Sequence, residues 1–421
     1  MPTQRPRRVL GIVVCCFCLV LGLAATVSAV KTKIVFAEST TWPEWEEAIK
    51  AFEVEHSDIE VEWIRLQHAT LAESLIRFAA AGQMPDVFTI LHDILPGLLA
   101  NNLVRPLEPL FVRDGSVTPR EYVGLDMGPK GIWALPLTVN VWFIIVNHSM
   151  FAEAGMEPPQ GGWTPADMAR LATRLKADID GDGVFDRFGL IGIPITSANE
   201  IDVTLFPFNA SLFDSMGRPA LNTSEARQAF NFLESMIADG SAVPGGALTP
   251  AWLNGQAAML TGDRVYLFHF AQNVKFDWGL AHLPMNPGVT PRTVGTGHYF
   301  GIANSSPNVE AAWTFLKWVT GPKGHNMVKS KAPLPGNLKA FPIYQSYWEM
   351  MRHEWNVPKN IELVTQITTY AVAPTVTRTA LSQQQVNTLL RDAANGILQR
   401  QLAAETALRE LQRQLEALQN Q

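Results

Sequence analysis

Beyond its first eighteen residues the chain has no cysteine, since Cys15, Cys16 and Cys18 all stand inside one N-terminal segment. The rest of the protein can therefore form no disulfide, thiolate metal site or cysteine nucleophile. Charge is sparse, at 17% of residues, and nowhere gathers into the clustered basic footprint of a nucleic-acid binder. No nucleic-acid partner is expected. Catalytic signatures are missing as well: there is no G-x-S-x-G elbow, no P-loop and no HExxH helix. His353-Glu354 opens like a zincin motif, but Val357 stands where the second histidine belongs. An enzyme is thus not expected. An exported glycoside hydrolase stays as the rival class, because a chance carboxylate pair such as Asp93 with Asp263 meets its minimal requirement.

Long apolar runs are absent too, with one exception, Val9 to Ala25. Arg5, Arg7 and Arg8 precede it and the small-residue site Val27-Ser28-Ala29 follows, which is the three-part layout of a secretory signal peptide over residues 1–29. A membrane anchor is the competing reading, but no basic stop-transfer run follows. Arg7-Arg8 also fits twin-arginine export. A lipoprotein needs a small residue before its acylated cysteine, and Val14, Cys15 and Phe17 do not supply one. A soluble protein is expected, exported to a periplasmic or extracytoplasmic location. Removing residues 1–29 takes three of the 33 basic residues and none of the 39 acids, which leaves nine more acids than bases.

What is present points to a globular α/β protein. With 421 residues, two domains of ordinary size are expected. Lys33 to Ala37 reads as a strand, and Pro43 is placed to open a helix with Trp45, Ile49 and Phe52 on one face. Ile59 to Ile64 alternates as a second strand. Thr70 and Glu73 form a capping-box pattern before a helix that turns Leu71, Leu75 and Phe78 inward. Asp86 to Ile90 is a third strand. This alternation implies a parallel sheet, and ligands bind beyond the carboxyl ends of such strands.

The loops in that place are Glu38 to Trp42 and Leu91-His92-Asp93, which carry an aromatic face, carboxylates and hydroxyls. Trp42 either meets a ligand or staples its helix, and Asp93 either meets a ligand or caps the next helix. Twelve tryptophans supply further stacking platforms wherever they lie outside core patterns. Ile132 to Asn147 suits a long strand crossing between domains. Thr164, Pro165 and Asp167 start a helix that buries Met168, Leu171, Ala172 and Leu175. Near the C-terminus, Leu408, Leu411, Leu415 and Leu418 form a seam of barely two heptads, which favours docking on the domain over oligomerisation.

The acidic stretch Asp178 to Gly189 resembles a calcium loop, with carboxylates at positions 1, 3, 5 and 9 and Gly183 at position 6. Asp178, Asp180, Asp182 and Asp186, with the Val184 carbonyl, are its candidate ligands. Position 12 is Gly189, so the bidentate glutamate is absent. A structural calcium of modest affinity and a metal-free Asx/Gly turn are both open, and no other cofactor is required.

Six segments, "AAAGQMPDVF", "NLVRPLEPL", "VNHSMFAEAGMEPPQGGWTPADMARLATRL", "DGDGVFDRFGL", "GQAAMLTGD" and "SPNVEAAWTFLKWVTGP", stand in an order that resembles the maltose-binding-like solute-binding proteins of bacterial carbohydrate ABC transporters. The resemblance covers nearly all of the chain after residue 29. It implies a periplasmic-binding-protein-like fold of two α/β lobes with a hinge and an interlobe cleft. Residues 30–140 with 265–310 would form the first lobe, and 141–264 with 311–421 the second.

Hinge closure on a carbohydrate, and delivery to membrane permease subunits by a monomer, are the implied function. Carried over by position, the contacts are Glu38, Thr41, Trp42, His92 and Asp93. Asn140 and Trp142 on the crossover join them, then Asp263, Arg264 and Tyr266, and Gly297, His298 and Tyr299 on a later turn. Core packing is the plainer reading of Trp142 and Tyr266, and an interlobe ion pair that of Arg264. The family often has a tryptophan shortly after Gly262, where this chain has Asp263-Arg264-Val265. With Arg264 there, a sugar acid or a glycerol phosphate ester is the alternative ligand.

Overall fold

The computed structural model describes residues 30–40, 42–125, 131–244, 249–327, 334–399 and 401–420. The expected signal segment and Thr41 lie outside them. Among the described residues no helix is long and apolar enough to cross a membrane.

Ten strands are described: β1 Thr32–Glu38, β2 Ile59–Arg65, β3 Val87–Ile90, β4 Leu135–Asn147, β5 Phe188–Ile193, β6 Ala242–Pro244, β7 Ala257–Asp263, β8 Trp278–Ala281, β9 Thr293–Ile302 and β10 Ala371–Val372. They run in the order β2-β1-β3-β9-β4-β7-β5-β6, with β8 paired to β4 and β10 to β9. β1, β2 and β3 are parallel, as the alternation of strands and helices implied. β9 closes them antiparallel, and β4 pairs with β9 through Leu135 to Val141. From Trp142 to Asn147 the same strand β4 pairs instead with β7 and β8. One uninterrupted strand thus serves two half-sheets, which is the crossing expected at Ile132 to Asn147.

Burial on both faces explains its sequence. Trp142, Ile144 and Val146 enter one core cluster, while Val141, Phe143 and Ile145 enter another. Side chains alternate along a strand, so a strand buried on both sides must be apolar throughout.

Helices follow the expected stripes. Trp45–Glu55 buries Trp45, Ala48, Ile49 and Phe52. Pro165–Leu175 buries Met168, Leu171, Ala172 and Leu175, and its capping box between Thr164 and Asp167 is formed. The box expected at Thr70 is not. Its side chain caps nothing, because a short 3₁₀ turn, His68–Thr70, leads into the helix Leu71–Ala80 and leaves Thr70 in a non-capping conformation. Leu71 and Leu75 are buried there, and Phe78 is half-buried. The C-terminal segment is two helices, Gln383–Leu398 and Ala404–Gln419. Leu408, Leu411 and Leu415 lie at 3%, 1% and 0% exposure in the core of the β5–β7 half, so the seam docks on its own domain.

Packing redraws the lobe boundaries expected at 265–310 and 311–421. The helix Arg264–Asn273 and β8 pack with Trp252 and the second half of β4. The helix Val309–Thr320 follows β9 back to the first half-sheet, where Phe315 meets Phe36 at 5.0 Å. Connectivity explains the difference: β9 begins beside β10 and ends beside β3, so the chain has already crossed back by Ile302.

Candidate functional site

Between the two half-sheets lies a cavity of about 360 Å³. The segments that follow β2 and β3 form one wall, those at the ends of β5 and β7 the other, and β4 and β9 the floor. Eight of the expected residues line it: His92, Asp93, Asn140, Trp142, Asp263, Arg264, Gly297 and His298. Leu91, His68, Thr138, Asn199, Glu200, Val265, Thr296 and Gln383 line it as well.

On the floor, Asn140 and Trp142 share the face of β4 with Thr138, because residues two apart point the same way. Asn140 Nδ2 donates to Asp263 Oδ2 at 2.5 Å, which leaves the buried Oδ1 of Asn140 without a protein partner. The second oxygen of Asp263 accepts from the Val265 N–H at 2.9 Å and so caps the helix Arg264–Asn273. Burial raises the Asp263 carboxyl pKa, and the bond from Asn140 opposes that shift.

Arg264 is half-buried. Burial lowers its pKa, while Tyr344 and Asp263 favour its charge. Among the described residues it makes no ion pair, and its Nε has no partner, so the interlobe ion pair is not formed.

On the first wall His92 is 4% exposed, its Nε2 is unpartnered, and burial with the nearby His298 holds its imidazole down at about 3. Its ring meets the Tyr299 edge at 5.0 Å. His298 is held down at about 4 by burial, then by His68 and Arg264, and its Nδ1 is also unpartnered. Both histidines are therefore neutral at pH 7. Asp93 is exposed and does not cap the helix Leu95–Ala100. Across the cavity, Glu200 stands in the turn after β5, its pKa raised by burial and by the charge of Asp263.

Four expected contacts lie elsewhere. Tyr299 is fully buried in the core with Phe88 and Leu95. Gly297 to Tyr299 sit in the middle of β9 and not on a turn, so the side chain after His298 points to the opposite face. A Cβ on Gly297 would come 2.0 Å from the Thr138 carbonyl, so glycine is there to let β9 pair closely with β4. Glu38 is wholly buried and does not line the cavity, with Oε1 accepting from the Thr40 N–H at 2.5 Å. Trp42 stacks on Trp45 at 6.1 Å, the helix-stapling contact, and lies 6.2 Å from the His298 ring. Tyr266 stacks on Phe270 at 5.3 Å, the packing alternative. Trp142 does both: it is 7% exposed in the core cluster and is the one tryptophan lining the cavity among the described residues.

The sequence profile of the bacterial extracellular solute-binding proteins matches residues 39–326. The chain belongs to that family. A binding protein of Brucella abortus (strain 2308) is 23% identical over 71% of this chain and 74% of its own length. A maltotriose-binding protein of Pyrococcus abyssi is 23% identical over 72% of this chain and 67% of its own. The solved structure of the sugar-binding protein MalE from Xanthomonas citri superposes with a TM-score of 0.75 at 18% identity, over 92% of this chain and 98% of that one. At that identity the likeness establishes the shared fold, a periplasmic-binding-protein-like architecture.

In this solute-binding protein the acidic loop stands apart from the cavity. Asp178, Asp180 and Asp186 bring oxygens within 4.8 Å of one another. Asp182 is not in that group; its Oδ1 accepts from the Val184 N–H at 2.8 Å. Asp178 accepts from Gly181 and Gly183, so the turn is also held by its own backbone. Gly189, where a calcium loop would place glutamate, lies in β5 with its Cβ position 2.1 Å from the Ala172 carbonyl, and no side chain fits. Both readings of the loop remain compatible with this geometry.

Proposed function

We propose that this family member is the ligand-capturing component of an ABC uptake transporter, taking a sugar or oligosaccharide into the cavity between its lobes. The observation that carries the reading is a set of buried polar atoms without protein partners around one cavity: His92 Nε2, Asn140 Oδ1, Asn199 Oδ1, Arg264 Nε and His298 Nδ1. Buried polar groups are ordinarily paired, so such a set calls for a ligand rich in hydroxyls or for the water that it displaces. Trp142 offers a face for an apolar sugar surface. The maltotriose-binding and sugar-binding relatives point the same way.

Closure about β4 and β9 on the bound ligand would create the form that membrane permease subunits accept. The protein would act as an exported, soluble monomer that binds without turnover. A structural calcium held by Asp178, Asp180 and Asp186 would brace the second lobe, well away from the ligand.

A thermal-shift screen of mono- and oligosaccharides beside amino acids and short peptides tests the reading. A rise in melting temperature with saccharides supports it. A rise confined to amino acids or peptides overturns it.

A further inference from the structure

Resting on the saccharide reading, the charges in the cavity narrow the ligand class. Three carboxylates, Asp93, Glu200 and Asp263, line it against one guanidinium, Arg264. Arg264 and Asp263 are chain neighbours and act on each other electrostatically, while Asn140 donates to one oxygen of Asp263 and the Val265 N–H to the other. That leaves Asp93 and Glu200, from opposite lobes. Among the described residues neither side chain makes a hydrogen bond or an ion pair within the protein. The neutral imidazoles of His92 and His298 add no positive charge.

The acids do not stand alone as a site. His92 is 4% exposed, and its unpartnered Nε2 belongs to the same cavity lining, which marks the place as built for a polar ligand. Free carboxylates in a partly desolvated cleft repel an anionic ligand and are satisfied by a donor that carries positive charge.

We infer that the cavity selects a saccharide carrying a basic amine, its ammonium paired with Glu200 and with Asp93 reinforcing the field from the facing lobe. The neutral sugar hydroxyls would go to Asn140, Asn199 and the two histidines. This preference runs against the sugar-acid and phosphate-ester alternative, since Arg264 is already offset by Asp263.

The test is calorimetric titration of the full protein with glucose, glucosamine and glucuronic acid, and with the trimers of glucose, glucosamine and galacturonic acid, at low and moderate salt. The inference predicts that the amine form binds about five-fold or more tightly than its neutral counterpart, the scale of a single ion pair, and that the uronic form binds weakest. The preference should shrink with added salt and disappear in Glu200→Gln, with Asp93→Asn giving a partial loss. Equal or tighter binding of the neutral or uronic form overturns the amine inference and leaves the saccharide reading standing. Heat from none of these sugars, nor from any saccharide in the thermal screen, overturns both.

Discussion

Glu38 gives the sharpest prediction for stability. It ends β1 fully buried, with Oε2 unpartnered, and burial carries its carboxyl from 4.5 up to about 7 despite the Thr40 bonds and the Arg65 charge. The folded state therefore prefers the protonated form. The stability this contributes is full below the unfolded value near 4.5 and is lost as pH rises through about 7. At about 1.36 kcal/mol per tenfold change in proton affinity, keeping this carboxylate ionised and folded at pH 8 costs at most about 3 kcal/mol.

Glu38→Gln keeps an acceptor for the Thr40 N–H and cannot ionise. Urea unfolding at pH 5 and pH 8 should show the wild type losing about 2 to 3 kcal/mol more than the variant over that interval. Parallel pH profiles for the two proteins would refute the reasoning.

Histidines work in the opposite direction. His92, His298 and His325 have imidazoles held down at about 3, 4 and 4, so they stabilise the fold above their unfolded value and withdraw that stability as pH falls from 6.5 toward 4. His325→Gln should flatten this acid limb in a thermal melt series. Leu411→Ala, at a 1% exposed position on the buried face of the C-terminal helix, should cost about 2 to 5 kcal/mol in denaturant unfolding without changing the sedimentation coefficient. Gly297→Ala, with its added Cβ 2.0 Å from the Thr138 carbonyl, should force β9 from β4 and weaken ligand binding in calorimetry, the floor having moved. Calorimetry on chelator-treated protein should register calcium binding of modest affinity at the acidic loop; no heat at millimolar calcium would leave a metal-free turn.

Local pattern made much of the architecture legible. The apolar stripe from Met168 to Leu175, the capping pair Thr164 and Asp167, and the long β4 run each depend on neighbours in sequence, and each is found as expected. The cavity residues at the ends of β3 and along β4 were legible by the rule of carboxyl strand ends and by the crossing strand. Applying that same rule to β2 and β5 reaches His68, Asn199 and Glu200, and the period of two reaches Thr138 from Asn140.

Other features had no local signal. The resemblance groups Tyr299 with Gly297 and His298 on one turn, but all three lie in β9, and a strand turns consecutive side chains to opposite faces. Glu38 ends β1 and Asp93 follows β3, yet one is fully buried outside the cavity lining and the other is exposed within it. Gln383 arrives from the start of a C-terminal helix far away in sequence. The lobe boundaries depended on how often the chain crosses between half-sheets, which is a property of pairing and not of composition.

The most direct measurement is isothermal calorimetry of the purified protein against saccharides, with the same mixtures examined by chromatography after incubation. The account predicts one saccharide bound per protein chain, no new product, and loss of binding in Asn140→Ala and Asp263→Ala. Product formation, or tight binding confined to amino acids or peptides, would contradict it.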